Sequence, residues 1–316
     1  MLKIKLKSKK IIKLDTSPSV FAPTQTSHYL LSAIKDKIDK KKNLEVIDMG
    51  CGNGILGISL LKIFNNINKM IFTDVNIQSL RDCEKNMKKN NLKKKNYKLI
   101  ISNVFQRISF QKFDVIINDI SGISELVAKI SPWFNEVSCE SGKNGTKLTM
   151  NFLKKYKKYL NKKGKVFFPI ISLCNEKNIF NYLKKNNIKY SVILEKNWPM
   201  PKSMIKHKNL LKRLKSKGYI NFREQFGLLI ANTKIIYLYW LFKVRKNLKD
   251  ILITSALKNP IGTYKWSLKK PSAAKLGSAA IKEAIFKLKL DLKEVDEVIM
   301  GHVLTAGLDR AYFNTR

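Results

Sequence analysis

Val46-Ile47-Asp48-Met49-Gly50-Cys51-Gly52-Asn53-Gly54-Ile55-Leu56-Gly57 joins an apolar run, an acid and four glycines within twelve residues. Glycines between a buried strand and a helix let the backbone pass close to a bound molecule and present amide hydrogens to it. A second acid, Asp74, closes Ile71-Phe72-Thr73, and Asn103 follows Leu99-Ile100-Ile101-Ser102. Asn118 and Asp119 come directly after Phe113 to Ile117, so four polar positions stand at the ends of four apolar runs. Metal chemistry has no such support. Cys51, Cys83, Cys139 and Cys174 form no Cys-x-x-Cys pair, and His28, His207 and His302 lack ligand spacing. They read as reduced core or surface residues.

The elements that must hold these groups alternate strand and helix, which favours an α/β fold with a mainly parallel sheet. Strands are expected at Leu44–Asp48, Met70–Thr73, Leu99–Ile101, Phe113–Ile117 and Lys165–Ile171. The stretch from Val192 through Trp198 to Leu228–Ile230 and Ile235–Leu238 closes the sheet. A helix is expected from Ile55 to Phe64. Leu80, Cys83 and Met87 line another, and Phe152, Tyr156 and Leu160 a third that Gly164 ends.

Two cofactors can use the glycine loop. Counted from Gly52, Gly52-x-Gly54-x-x-Gly57 fits a dinucleotide fingerprint, with Asp74 near the roughly 20-residue offset of a ribose-binding acid, which points to NAD. Counted from Asp48, it reads Asp-x-Gly-x-Gly-x-Gly and resembles motif I of the class I S-adenosylmethionine-dependent methyltransferases, whose sheet is Rossmann-like. That resemblance implies S-adenosyl-L-methionine held by Asp48, Gly50, Cys51, Gly52, Gly54, Asp74 and Asn103. Asp48 would offset the cationic amino-acid tail, Asp74 would accept the ribose hydroxyls, and Asn103 would meet the adenine.

Phe113 to Ser121 resembles the place where small-domain methyltransferases, including the HemK-like glutamine and ribosomal RNA guanine enzymes, carry Asn-Pro-Pro-Tyr. Asn118 matches; Asp119, Ile120 and Ser121 depart. The resemblance implies that Asn118 orients the methyl acceptor and that Asp119 takes its proton, with a solvated or capping carboxylate as the other reading of Asp119. Ser121, and Trp133 in Ser131-Pro132-Trp133-Phe134, are the candidate acceptor contacts, with core packing the alternative for the aromatic pair. Phe21 to Ser27 and Glu140 to Thr146 resemble segments flanking these motifs, so the likeness spans about residues 15–238. A protein side chain or an RNA base is the favoured acceptor, and a small molecule stays open. The competing readings are an NAD(P)-dependent oxidoreductase, which has no use for Asp48 and the Asn118 segment, and a non-catalytic basic RNA-binding module.

The chain of 316 residues is 44% hydrophobic, enough for a core and too much for a disordered chain. Its formal charge of +39 comes from 62 Lys and Arg against 23 Asp and Glu. That admits nucleic acid as a partner through a basic surface, although lysine accompanied by asparagine and isoleucine also arises from A/T-rich codons. No apolar window reaches the roughly 20 residues of a membrane span, and the basic N-terminus lacks a secretory h-region, so the cytoplasm is the expected compartment.

After about Arg245 to Lys249 the composition changes. Asp250 to Gly262, Ser272 to Lys282 and Val295 to Leu304 resemble the amino-terminal segment of thiolases, the acetyl-CoA acetyltransferases, over residues 249–310. The expected organisation is a methyltransferase domain at 1–240, a linker at 241–248, and a truncated thiolase N-terminal fragment at 249–316. Thiolase chemistry needs a nucleophilic cysteine and a second one later in the chain, and no cysteine follows Cys174, so the tail is expected to be inert. A fusion, frameshift or assembly product would explain the join.

Overall fold

The computed structural model describes residues 2–5 and 11–239 apart from 41, 93–96, 121 and 135, together with 278, 282 and 283. The expected linker, and the thiolase-like segment apart from residues 278, 282 and 283, therefore lie outside the described residues. All elements below belong to the first of two compact units, Met1–Phe242.

Strands β3 (Leu44–Met49), β4 (Ile67–Asp74), β5 (Tyr97–Ile101), β6 (Phe113–Asn118) and β7 (Leu160–Ile171) run parallel in the order β5-β4-β3-β6-β7. The sheet continues with β10 (Leu228–Tyr239), antiparallel to β7, then β8 (Tyr190–Pro199), while the short β9 (Arg223–Gln225) pairs with β10. This is the expected Rossmann-like sheet. Its chain order reverses at β3, since the first crossovers step outward to β4 and β5 and the next returns to β6 on the other side. Ligands bind outside the carboxyl ends of such strands at that reversal.

Alternate strand residues feed two cores, as the two-residue period requires. Val46, Phe72, Ile117, Phe167 and Ile235 pack on one face. That face is covered by α1 (Gln25–Lys35), α2 (Ile55–Ile63) and α3 (Ile77–Lys89). Ile47, Met49, Ile116, Phe168 and Ile236 face the other side, under α5 (Lys147–Lys155) and α6 (Glu176–Lys185). A third cluster joins α4 (Glu125–Ala128), α7 (Lys202–Ile205) and α8 (Lys208–Ser216) to the start of β10 through Val127, Met204, Leu211 and Leu229.

The third expected helix is shorter than its period suggests. α5 stops at Lys155, a 3₁₀ turn covers Tyr156–Tyr159, and Leu160 opens β7 opposite Phe113. The ladder resumes only at Lys165 opposite Val115, so residues 161–164 bulge out, with Lys163 at φ 64°. Gly164 lies inside that bulge and not after a helix. A Cβ there would sit 2.6 Å from Leu160 Cδ1.

The amino terminus adds a two-stranded ribbon, β1 (Leu2–Lys5) with β2 (Ile11–Leu14), and a strap clasped by α3. Asn90 accepts from Lys13 N (3.1 Å) and donates to Lys13 O (2.7 Å). Asn86 does the same for Asp15, at 2.9 Å each way, and also donates to Asn53 O at 3.0 Å. Asp82 accepts from Ser17 N at 2.6 Å and from Ser17 Oγ at 2.9 Å. Four helical residues rise about 6 Å and two extended residues about 6.6 Å, so positions 82, 86 and 90 meet 17, 15 and 13 in register. The strap delivers Ser19 and Phe21 to the site.

Candidate active site

Past the carboxyl ends of β3, β4, β5 and β6 lies a cavity of about 990 Å³. Its floor is the glycine loop. Gly50, Gly52 and Gly54 take φ of 67°, 52° and 88°, in the left-handed region that side chains disfavour. Gly50 N and Cys51 N donate to Thr73 O at 2.8 and 3.0 Å, which ties the loop to the end of β4. The glycines do different jobs. A Cβ on Gly50 would lie 2.8 Å from Ile120 Cγ1, so this glycine admits the chain leaving β6; on Gly54 it would meet Cys83 Sγ at 2.7 Å; on Gly57 it would strike the Phe72 ring at 2.2 Å. A Cβ on Gly52 meets only Phe21 O, at 3.6 Å, and Gly52 lines the cavity. That is the position where a ligand approaches main chain.

Asp74 lines the cavity at the end of β4. Its Oδ2 accepts from Gly52 N at 3.0 Å and its Oδ1 from Asn76 N at 2.9 Å, which fixes the carboxylate for further donors. Burial raises its pKa against the pull of those amides. Cys51 and the exposed Asn103 also line the wall, and burial beside Cys83 pushes the Cys51 thiol up.

Asp48 stands differently from expectation. It is fully buried beneath the loop and is not among the residues lining the cavity; its Oδ2 accepts from Gly57 N at 2.8 Å. Its Oδ1 has no hydrogen-bond partner. Burial, with Asp119 and Asp74 nearby, pushes its pKa up to about 7 against the Gly57 bond. Gly54 is likewise a packing residue and not a wall residue.

At the β6 end too the placement differs from the expectation. Asn118 is 2% exposed, does not line the cavity, and spends its Oδ1 on Ile120 N at 3.2 Å, because the chain turns sharply there to clear Gly50. Asp119 takes the place on the wall. Its Oδ2 accepts from Ser27 Oγ at 2.8 Å, and burial lifts its pKa to about 7 against that bond. Ser121 lies outside the described residues. Trp133 lines the cavity and packs edge-on against Trp198, with centroids 5.7 Å apart at 79°, so the packing and wall roles coincide. Phe134 and Phe21 meet beside it at 4.9 Å.

Sequence reasoning missed Ser27 as the partner of Asp119, and Trp198, Pro199 and Pro201 as wall residues. Ser27 ends the flanking segment Phe21 to Ser27, but nothing in its spacing points to a residue 92 positions away.

The donor set tests the two cofactors. A pyrophosphate needs cationic or amide partners, yet none of the described lining residues is Lys, Arg or His, and two carboxylates, Asp119 and Asp74, lie close enough to Asp48 to raise its pKa. A cationic amino-acid tail with ribose hydroxyls suits this arrangement. The residues fit S-adenosylmethionine, and for the pyrophosphate of NAD they offer loop amides alone, beside carboxylates. No group of three or more metal-ligating side chains occurs among the described residues.

Comparison with known proteins divides the chain in two. Residues 12–119 match the family model of the methyltransferase small domain, and residues 251–315 that of the thiolase N-terminal domain. The "Putative protein N5-glutamine methyltransferase" of Methanocaldococcus jannaschii is 28% identical over 195 residues, covering 61% of this chain and 93% of that protein. The mitochondrial acetyl-CoA acetyltransferase of Danio rerio is 47% identical over 75 residues, which are 24% of this chain and only 18% of the relative. The chain thus spans under one fifth of that relative's length. Among solved structures, the ribosomal protein L11 methylase of Lactobacillus delbrueckii subsp. bulgaricus aligns over 72% of this chain and 86% of its own, at 20% identity and a TM-score of 0.46. No described helix is long and apolar enough to cross a membrane.

Proposed function

Taking residues 12–119 as a methyltransferase small domain, we propose that the unit ending at Phe242 is an S-adenosylmethionine-dependent methyltransferase using the cavity above the glycine loop. When bound, that cofactor supplies a methyl group activated on a sulfonium. The chain supplies position. Gly52 leaves room for the cofactor against main chain, Asp74 accepts ribose hydroxyls through the lone pairs its two amide bonds leave, and Asn103 stands at the adenine end. Asp48, held below the loop on Gly57 N, supplies negative charge there when ionised, and a cationic ligand would favour that form. Asp119, steadied by Ser27, is the group on the acceptor side able to hold a proton, and the Phe21, Phe134, Trp133 and Trp198 rings exclude water. In-line displacement depends chiefly on holding the reacting atoms collinear, which a walled cavity of this kind favours. The acceptor named for the M. jannaschii relative is a protein glutamine, which makes a polypeptide acceptor the first to consider. No acyl transfer is assigned to residues 251–315, which contain no cysteine.

The observation that carries this reading is Asp74 on the cavity wall, bonded to Gly52 N in a site with no basic side chain among its described lining residues. Calorimetric titration of the full chain with S-adenosylhomocysteine and with NAD tests it. Homocysteine-product binding weakened at least about tenfold by Asp74→Ala, from loss of charge-assisted hydrogen bonds, is the expected result. Binding of NAD alone would replace it with a hydride enzyme, and binding of neither with the basic, non-catalytic module.

A further inference from the structure

About one residue in five of this chain is Lys or Arg, 62 of 316, yet the described residues lining the cavity include none and no His. They include four acids, Asp74, Asp119, Glu136 and Glu140. Asp74 is engaged with the glycine loop and faces the cofactor side. The remaining three, the partly buried Asp119 and the exposed Glu136 and Glu140, line the same cavity as the aromatic pairs Trp133–Trp198 and Phe21–Phe134. An acidic, aromatic chamber inside a strongly basic protein is a selective environment, and each class of methyl acceptor meets it differently.

A nucleotide drawn whole into the cavity brings phosphates, which need cations and here would face carboxylates. A neutral amide needs a polar group that fixes its plane, and Asn118, the side chain placed for that by sequence, is buried and turned onto Ile120 N. An alkylammonium finds both of its usual partners, carboxylates and aromatic faces. The outer charge then separates two sources of such an amine. A surface of high positive charge attracts an acidic polypeptide and repels a free polyamine.

Resting on the methyltransferase reading, we propose that the acceptor is the primary amine of a lysine carried in an acidic stretch of polypeptide. The alkyl stem passes between the aromatic pairs and the nitrogen reaches Asp119. In the transfer, the ammonium gives a proton to the Asp119 carboxylate. The freed lone pair forms the new N–C bond as the C–S bond of the sulfonium donor breaks. Its electron pair stays on sulfur as a thioether, and the product leaves as an N-methylammonium. Asp119 passes its proton to water.

The test uses the full chain with radiolabelled S-adenosylmethionine and five probes: a peptide with one lysine among glutamates, the same peptide with glutamine or acetyl-lysine in that place, spermidine, and total transfer RNA. Methylation of the lysine peptide alone, located on Nζ by mass spectrometry, is expected. The double variant Glu136→Gln/Glu140→Gln should raise the KM for that peptide about fivefold, the scale of weakened charge pairing, with S-adenosylhomocysteine affinity unchanged by calorimetry. A second readout needs no turnover: with S-adenosylhomocysteine bound, n-butylammonium should quench tryptophan fluorescence saturably and propionamide should not. Preference for glutamine, RNA or spermidine, or no methylation of the lysine peptide while S-adenosylhomocysteine still binds, overturns the lysine assignment and leaves the methyltransferase reading standing. Failure to bind S-adenosylhomocysteine removes both.

Discussion

The two halves of the cavity are built from different materials. Under β3 and β4 the wall is main chain, shaped by glycines and anchored by Asp74 to a backbone amide. Beyond β6 it is side chain, with Asp119, Ser27, Trp133, Trp198 and Phe134 converging from segments far apart in sequence. A wall of main chain tolerates few residue types, because a Cβ either fits or collides. A wall of side chains tolerates many. The first half is where a shared cofactor would sit, and the second is where an acceptor would be chosen.

If that contrast is right, substitutions in the first half should act through the fold. Gly57→Val is the strongest case. Its Cβ would sit 2.2 Å from the Phe72 ring, inside a core with no room to shift. A loss of about 3 kcal/mol or more is expected in urea unfolding, at the upper end for overpacking. A variant that unfolds at the parent's midpoint would show that α2 can move off the sheet, and the main-chain wall would then be softer than its geometry implies.

The strap offers a sharper cut because it touches the loop without belonging to it. Asn86→Ala leaves Asp15 N, Asp15 O and Asn53 O without the partner that now serves all three. A destabilisation of about 1–2 kcal/mol is expected, chiefly from the buried Asn53 O left unsatisfied, since Asp15 lies at the surface. Weaker S-adenosylhomocysteine binding should accompany it, since Asn53 lies within the loop. An unchanged affinity would confine Asn86 to holding the amino terminus.

The same contrast explains what could be read in advance. The parallel strands showed themselves as apolar runs, and β3 and β6 are buried along nearly their whole length. The loop and Asp74 were legible because backbone geometry dictates residue type there. Phe152, Tyr156 and Leu160 keep a four-residue spacing that reads as one helix, although a 3₁₀ turn and the start of β7 carry the last two to the same core. The position of Asn118 matches a motif, but the turn that clears Gly50 is a three-dimensional fact that spacing does not carry. The clasp of Asp82, Asn86 and Asn90 on α3 had a signal that went unused. Three polar residues at four-residue intervals run alongside the buried Leu80, Cys83 and Met87.

Asp48 gives the smallest expected effect and the most discriminating one. Its carboxyl titrates near 7 in the folded chain against an ordinary 3.8, raised first by burial. Below about pH 4 it is protonated in both folded and unfolded chains and its contribution to stability is fully present. Between about pH 4 and 7 the unfolded chain has released the proton and the folded chain has not, so stability falls as pH rises; above about 7 the loss is constant. Asp119 also titrates near 7, so the difference between parent and variant isolates Asp48 better than the parent curve does. Asp48→Asn keeps the shape and can still accept from Gly57 N. It should match the parent at pH 4 and be more stable by about 1–2 kcal/mol at pH 8, the common result of removing an uncompensated buried charge. Its S-adenosylhomocysteine affinity should fall. Gaining stability while losing affinity would mean that the acid is kept for a cationic ligand at the expense of the fold. If Asp48→Asn is instead destabilised at pH 8, the carboxylate is an anchor for α2, and its burial needs no ligand to explain it.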